Sequence, residues 1–93
     1  MPSNLMALAE RVEAATGSDN ALDVLIDVAL FEPGRFAKAI RANAAGTKLI
    51  MTDSRGNEQT YWAEDWTSEA ELRRSAAEAL KARASQVIAG EES

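Results

Sequence analysis

Apolar residues recur at the spacing of amphipathic helices in several stretches of the chain. The pattern predicts a first helix over about residues 4–15, a second over 22–30, a third over 35–44 and a last one over 68–89. Asp19 or its neighbours could cap the second helix, and Gly17 and Gly46 favour helix ends. Ser68 and Glu71 have the spacing of a capping box, which favours a start of the last helix at Ser68.

Between residues 48 and 63 the pattern becomes typical of a β-hairpin. Residues 49–52 and 59–63 are rich in β-branched, aromatic and other apolar side chains, and Gly56 with Asn57 tolerates the positive φ of a tight turn. Successive side chains of a strand point to opposite faces, so Leu49 and Ile50 make both faces of this hairpin apolar. A two-stranded sheet is marginal in water, so either helices should cover both faces or a second chain should extend the edge of the sheet.

These elements predict an α+β fold, a small antiparallel sheet built on one β-hairpin and layered with three to four helices as an α-β-α sandwich. We expect one domain over residues 1–93, with residues 90–93 as a flexible tail. The predicted core consists of Leu8, Val12, Leu22, Leu25, Ile26, Phe36, Ile40, Leu49, Met51, Tyr61, Leu72, Leu80 and Val87.

Two stretches carry a resemblance to a known family. Residues 8–17 read LAERVEAATG and lead into the second helix, and residues 76–84 read AAEALKARA. With the order of elements, they resemble the phage ABA-sandwich family of small phage and prophage proteins. The resemblance implies helices layered on both sides of a small sheet and a phage or prophage origin. It implies no catalytic or binding residues.

Composition excludes several classes of chemistry. The chain has no cysteine and no histidine. Disulfides, thiol nucleophiles, Ser-His-Asp triads and zinc sites built on those residues are therefore excluded, and we expect no metal, no cofactor and no enzymatic activity. No run of about 18 apolar residues predicts a membrane span, and the N-terminus does not resemble a secretory signal, so we expect a soluble cytoplasmic protein.

The strongest candidate for an interaction site is the segment from Tyr61 to Trp66. It places Tyr61, Trp62 and Trp66 beside the carboxylates of Glu64 and Asp65. Tyrosine and tryptophan are enriched at interface hot spots, and an acidic rim would select a basic partner. The alternative is structural, because a chain with 5% aromatic residues could use them in its core.

Charged residues suggest weaker alternatives. Arg35, Lys38 and Arg41, with Lys48 nearby, could form one basic face on the third helix and contact phosphates, although the net charge of −5 disfavours nucleic acid. A row of aspartates at steps of four, residues 19, 23 and 27, favours a solvated helix face. The same row could act as an acidic decoy of a nucleic-acid-binding protein.

The sequence favours a noncatalytic protein-interaction or accessory module of phage or prophage origin. Its protein partner and biological process are unknown. Weak nucleic-acid binding through the third helix is the main alternative, and a carboxylate enzyme using Glu64 and Asp65 is a third. The exposed edge of the hairpin further suggests a homodimer.

Overall fold

The computed structural model describes the backbone of residues 2–92 and the side chains of residues 4–86. Within that part of the chain it has three helices and three strands in one antiparallel sheet of order β1-β2-β3. The α+β class is therefore confirmed. The elements in chain order are α1 (Pro2–Ala14), α2 (Asn20–Leu30), β1 (Ala37–Ala42), β2 (Leu49–Asp53), β3 (Glu58–Tyr61) and α3 (Ala70–Glu92).

The core lies between the three helices. Its buried side chains follow the apolar stripes of the sequence, and Trp66 packs against them from the loop before α3. α1 and α3 lie against each other along their lengths, and α2 contacts both. Small residues on α3 permit this close approach. The buried cluster is Ala9, Val12, Leu22, Ile26, Ala76, Ala77 and Leu80.

The hairpin of β2 and β3 is confirmed. Asp53 organises its turn, since one carboxylate oxygen accepts hydrogen bonds from the backbone N–H groups of Arg55 and Asn57, at 2.9 Å each. Gly56 takes the positive φ of 87° that the turn requires. The antiparallel register alternates from this turn, so the backbone N–H and C=O groups of Glu58 and Thr60 point away from β2.

The predicted third helix over residues 35–44 is wrong, because residues 37–42 form the strand β1. β1 pairs with β2, with Ile40 opposite Met51, and extends the hairpin to three strands. A third strand supplies backbone partners that a lone hairpin lacks, and this pairing overrides the helix propensity of the alanines. The Asn43 carboxamide closes the connecting turn by accepting from the N–H groups of Thr47 and Lys48.

The α-β-α sandwich is not found. α2 is the helix that packs on the sheet, through β1, and the helices form one group on that side. The opposite face carries an exposed ion pair of 2.8 Å between Arg41 and Glu58, with half-buried Ile50 between their strands. The sequence predicted that helices cover both faces of the sheet. The outer face needs no helical layer because charged and threonine side chains occupy most of its positions.

Several finer predictions also differ from the structure. α3 begins at Ala70, and the Ser68 hydroxyl donates to the carbonyl of Asp65 at 3.0 Å instead of capping the helix. Its end at Glu92 lies three residues beyond the predicted end, while the flexibility of residues 90–93 stays a prediction. None of the helices in the described residues is long and apolar enough to cross a bilayer.

The predicted core is confirmed in part. Five of its members are buried, namely Val12, Leu22, Ile26, Leu49 and Leu80. Leu8, Ile40 and Met51 are half-buried. Leu25, Phe36, Tyr61 and Leu72 are exposed, and Phe36 is the extreme case at 73%. The side chain of Val87 lies outside the described residues.

Candidate functional site

The aspartate row of α2 holds the segment that leads from β3 to α3. Asp23 is at its centre and is only 4% exposed. Its Oδ1 accepts hydrogen bonds from the backbone N–H of Thr67 at 2.9 Å and from the Thr67 hydroxyl at 2.8 Å. A buried carboxylate needs such donors because burial removes its water. Asp23 is therefore an anchor for Thr67.

Asp27 continues the same row one turn further along. Its Oδ2 accepts from the backbone N–H of Glu64 at 2.9 Å, and its Oδ1 accepts from the indole Nε1–H of Trp66 at 2.8 Å. The two oxygens thereby hold both the backbone and a ring of the segment. The result is that residues 64–66 lie against the polar face of α2.

Thr67 is the residue at which these contacts converge, and it is fully buried. Its hydroxyl oxygen accepts from the backbone N–H of Asp19 at 2.7 Å, and its carbonyl accepts from Arg73 Nη1 at 2.8 Å. Asp19 also caps α2, since its carboxylate accepts from the N–H of Leu22 at 3.1 Å. Thr67 thus ties the start of α2 to the start of α3.

The interpretation of the aspartate row as a solvated face is wrong for Asp23, which is buried, and for Asp27, which is half-buried, whereas Asp19 is exposed. Spacing of four placed Asp19, Asp23 and Asp27 on one face as expected, but residues 64–67 cover that face at Asp23 and Asp27. Asp23 and Asp27 accept structural hydrogen bonds, which explains their place on a helix where like charges repel. Because Asp23 is buried and Asp27 is bound to donors of the same chain, the row no longer supports an acidic decoy.

An open groove of about 410 Å³ lies between α2, the sheet and this anchored segment. We call it the aromatic groove. Four of its eight lining residues are aromatic, two are aliphatic and two are acidic. They are Asp27, Leu30, Phe31, Ile40, Tyr61, Trp62, Glu64 and Trp66.

The aromatic residues differ in exposure. Trp62 is 64% exposed and Tyr61 is 41% exposed, whereas Trp66 is half-buried and packs on the helical core. The structural alternative therefore fits Trp66, and the exposed rings of Tyr61 and Trp62 fit the interaction hypothesis. Large apolar side chains left in water near each other are typical of binding sites.

The groove has a negative electrostatic character. Partial burial and the negative charge of Asp27 raise the pKa of Tyr61 above its usual value. No lysine or arginine among residues 4–86 lines the groove. The nearest contact of a cation with these rings comes from Lys48, whose Nζ lies 4.5 Å from the centre of the Trp62 ring.

The four predicted phosphate contacts lie in the loop before β1, in β1 and in the turn before β2. Because residues 37–42 form a strand, the helix face that was to hold them does not exist. Arg35 lies in the loop before β1, and Lys38 lies at the irregular register between Ala37 and Ala39. Arg41 is paired with Glu58, which raises the pKa of Arg41 and lowers that of Glu58, and Lys48 contacts Trp62.

Glu64 and Asp65 are both exposed and share an open surface depression of about 380 Å³ with Trp66 and Leu72. An open depression leaves both carboxylates in water, and enzymes that use such groups usually enclose them. Among the described residues, no group of three or more acidic side chains is placed to hold a metal ion.

Two contributors to the site escaped sequence reasoning. In the sequence, Thr67 stands directly before Ser68 and has no feature that marks it as a contact of the aspartate row. Phe31 directly follows the predicted second helix. The aspartate row was the available signal. Three like charges at steps of four on one helix are unfavourable in water, and such a row indicates that donors lie opposite.

The fold and the site define a small α+β domain with an open aromatic-acidic groove. Comparisons with protein-family models, curated proteins and solved structures find no match to this chain. The resemblance to the phage ABA-sandwich family therefore stays a prediction.

Proposed function

We propose that this protein is a noncatalytic interaction module that binds a partner protein through the aromatic groove. The observation that carries the proposal is the exposure of Trp62 and Tyr61 along a groove whose wall is held in place by α2. Aromatic rings supply large contact areas at little cost in side-chain entropy. A phage or prophage origin belongs to the same proposal and depends on the family resemblance alone.

The held wall supports recognition because it positions the rings before a partner arrives. Hydrogen bonds from Glu64 and Trp66 to Asp27 order the chain directly after Trp62. Binding to a preorganised surface avoids the entropy cost of ordering a loop. The segment that sequence reasoning selected therefore has the geometry expected of a binding site.

The competing functions have weaker support. Weak nucleic-acid binding required a basic helix face, and residues 35–44 do not form that helix. A carboxylate enzyme required an enclosed pair, and Glu64 and Asp65 lie in an open depression. Neither alternative has an observation in its favour that matches the exposed rings.

Affinity capture with wild-type and Trp62→Ala protein tests the proposal in extracts of cells that express it. We expect partners that are retained by wild type and lost by Trp62→Ala. Phe36→Ala is the matched control, because Phe36 is an exposed aromatic residue that does not line the groove. Identical partner sets for wild type and Trp62→Ala, or equal losses in both variants, would contradict the proposal.

A further inference from the structure

We infer that the aromatic groove binds the guanidinium group of an arginine side chain presented by the partner protein. This inference rests on the proposed function and names the chemistry that the groove selects. Three features of the described residues carry it, namely the charges of the lining, the aromatic faces and the free carboxylate of Glu64.

The charged groups of the lining are both acidic. Asp27 accepts its hydrogen bonds from neutral donors, a backbone amide and an indole, so no cation compensates its charge. The three ion pairs among the described side chains involve other residues. A groove lined by two carboxylates and by no basic residue attracts a positive group, and partial exclusion of water strengthens the attraction.

The aromatic faces favour an organic cation. Cations bind over the faces of tryptophan and tyrosine rings, where the π electrons are concentrated. Lys48 already demonstrates this contact at Trp62, at 4.5 Å from the ring centre. Phe31, Tyr61 and Trp66 add further ring surface to the same groove.

Glu64 distinguishes arginine from other cations. Its backbone N–H is bound to Asp27, which holds the residue in place, while its exposed carboxylate has no partner among the described side chains. A planar guanidinium can stack on a ring and pair with a carboxylate through two parallel hydrogen bonds. A neutral side chain of the same shape lacks the charge for either contact.

The test is an NMR titration of the full chain with the capped peptide acetyl-Gly-Arg-Gly-amide at constant ionic strength. The neutral comparison is the same peptide with citrulline in place of arginine. We expect saturable shifts at the indole N–H signals of Trp62 and Trp66 and at the amides of Tyr61 and Glu64. Loss of the charge should weaken binding by about tenfold or more.

Glu64→Gln should weaken binding of the arginine peptide several-fold, while Glu69→Gln should leave it unchanged. Glu69 is an exposed glutamate outside the groove, and its variant removes the same charge. Equal affinity for the citrulline peptide, or equal weakening by both variants, overturns the inference. If either result occurs while Trp62→Ala still loses its partners, the arginine site is excluded and the proposed interaction module is retained.

Discussion

Replacement of Thr67 by valine tests whether the aspartate row holds the chain between β3 and α3. Valine has nearly the shape of threonine and carries a methyl group in place of the hydroxyl. The variant removes the donor that reaches Asp23 at 2.8 Å and the acceptor of the Asp19 N–H at 2.7 Å. The buried carboxylate then keeps a single donor among the described residues, the N–H of Thr67.

The expected loss of stability follows from these two contacts. A hydrogen bond to a charged group contributes about 1.5–3 kcal/mol and a neutral one about 1 kcal/mol, so we expect a loss of about 2–4 kcal/mol. Small domains unfold with a free energy of about 5–15 kcal/mol in total. At about 4–8 °C per kcal/mol, the melting temperature should fall by roughly 10–30 °C.

Thermal and urea unfolding followed by circular dichroism measure this difference. Thr67→Ser is the matched control, since it keeps the hydroxyl and loses one methyl group, at a cost of about 1 kcal/mol. We expect the order wild type, then serine, then valine. A valine variant as stable as the serine variant would refute the reasoning, because the shape of the side chain and not its hydroxyl would then stabilise the segment.

Three further predictions concern the core, the groove and the sheet edge. Leu80→Ala should lower the free energy of unfolding in urea by about 2–5 kcal/mol, because Leu80 is fully buried between the helices. Leu72→Ala, at an exposed position on the same helix, should lower it by well under half as much. A cost for Leu80→Ala as small as the one expected for the exposed Leu72 would remove α3 from the core. Tyr61 is the single tyrosine, and tyrosinate absorbance should show that it ionises at a higher pH in the native protein than in denaturant. Because its folded pKa is raised, its contribution to stability is present below about pH 10 and is lost as pH rises through the folded pKa. Coincident transitions would contradict the raised pKa. We propose a homodimer formed through the edge strand β3. Light scattering at high micromolar concentration should give a dimer mass for wild type and Thr60→Val. Thr60→Pro should give a monomer mass, because proline lacks the backbone N–H that points outward at this position. A monomer mass for wild type would exclude it.

Sequence patterns predicted the elements whose stabilisation is local. The helical stripes around Val12, Ile26 and Leu80 and the turn at Gly56 are confirmed because spacing and backbone geometry determine them. The last helix was predicted within two residues of its observed start at Ala70. These features depend on neighbours along the chain, which a sequence displays directly.

The wrong predictions involve partners that are distant along the chain. Residues 37–42 contain five good helix formers, and only pairing with β2 makes them a strand. The polar face of α2 looked solvated because its cover, Thr67, lies 44 residues away from Asp23. Sequence reasoning selected the segment from Tyr61 to Trp66 by composition, but the groove that it forms with α2 required the tertiary structure.

The hold of Asp23 and Asp27 on the segment before α3 has a kinetic consequence. A partner bound at the proposed site would meet rings whose supporting backbone is already ordered, and its association would require no slow rearrangement of that chain. Free and bound forms should therefore share the same backbone at residues 64–67, and differences in affinity between partners should appear in their dissociation rates.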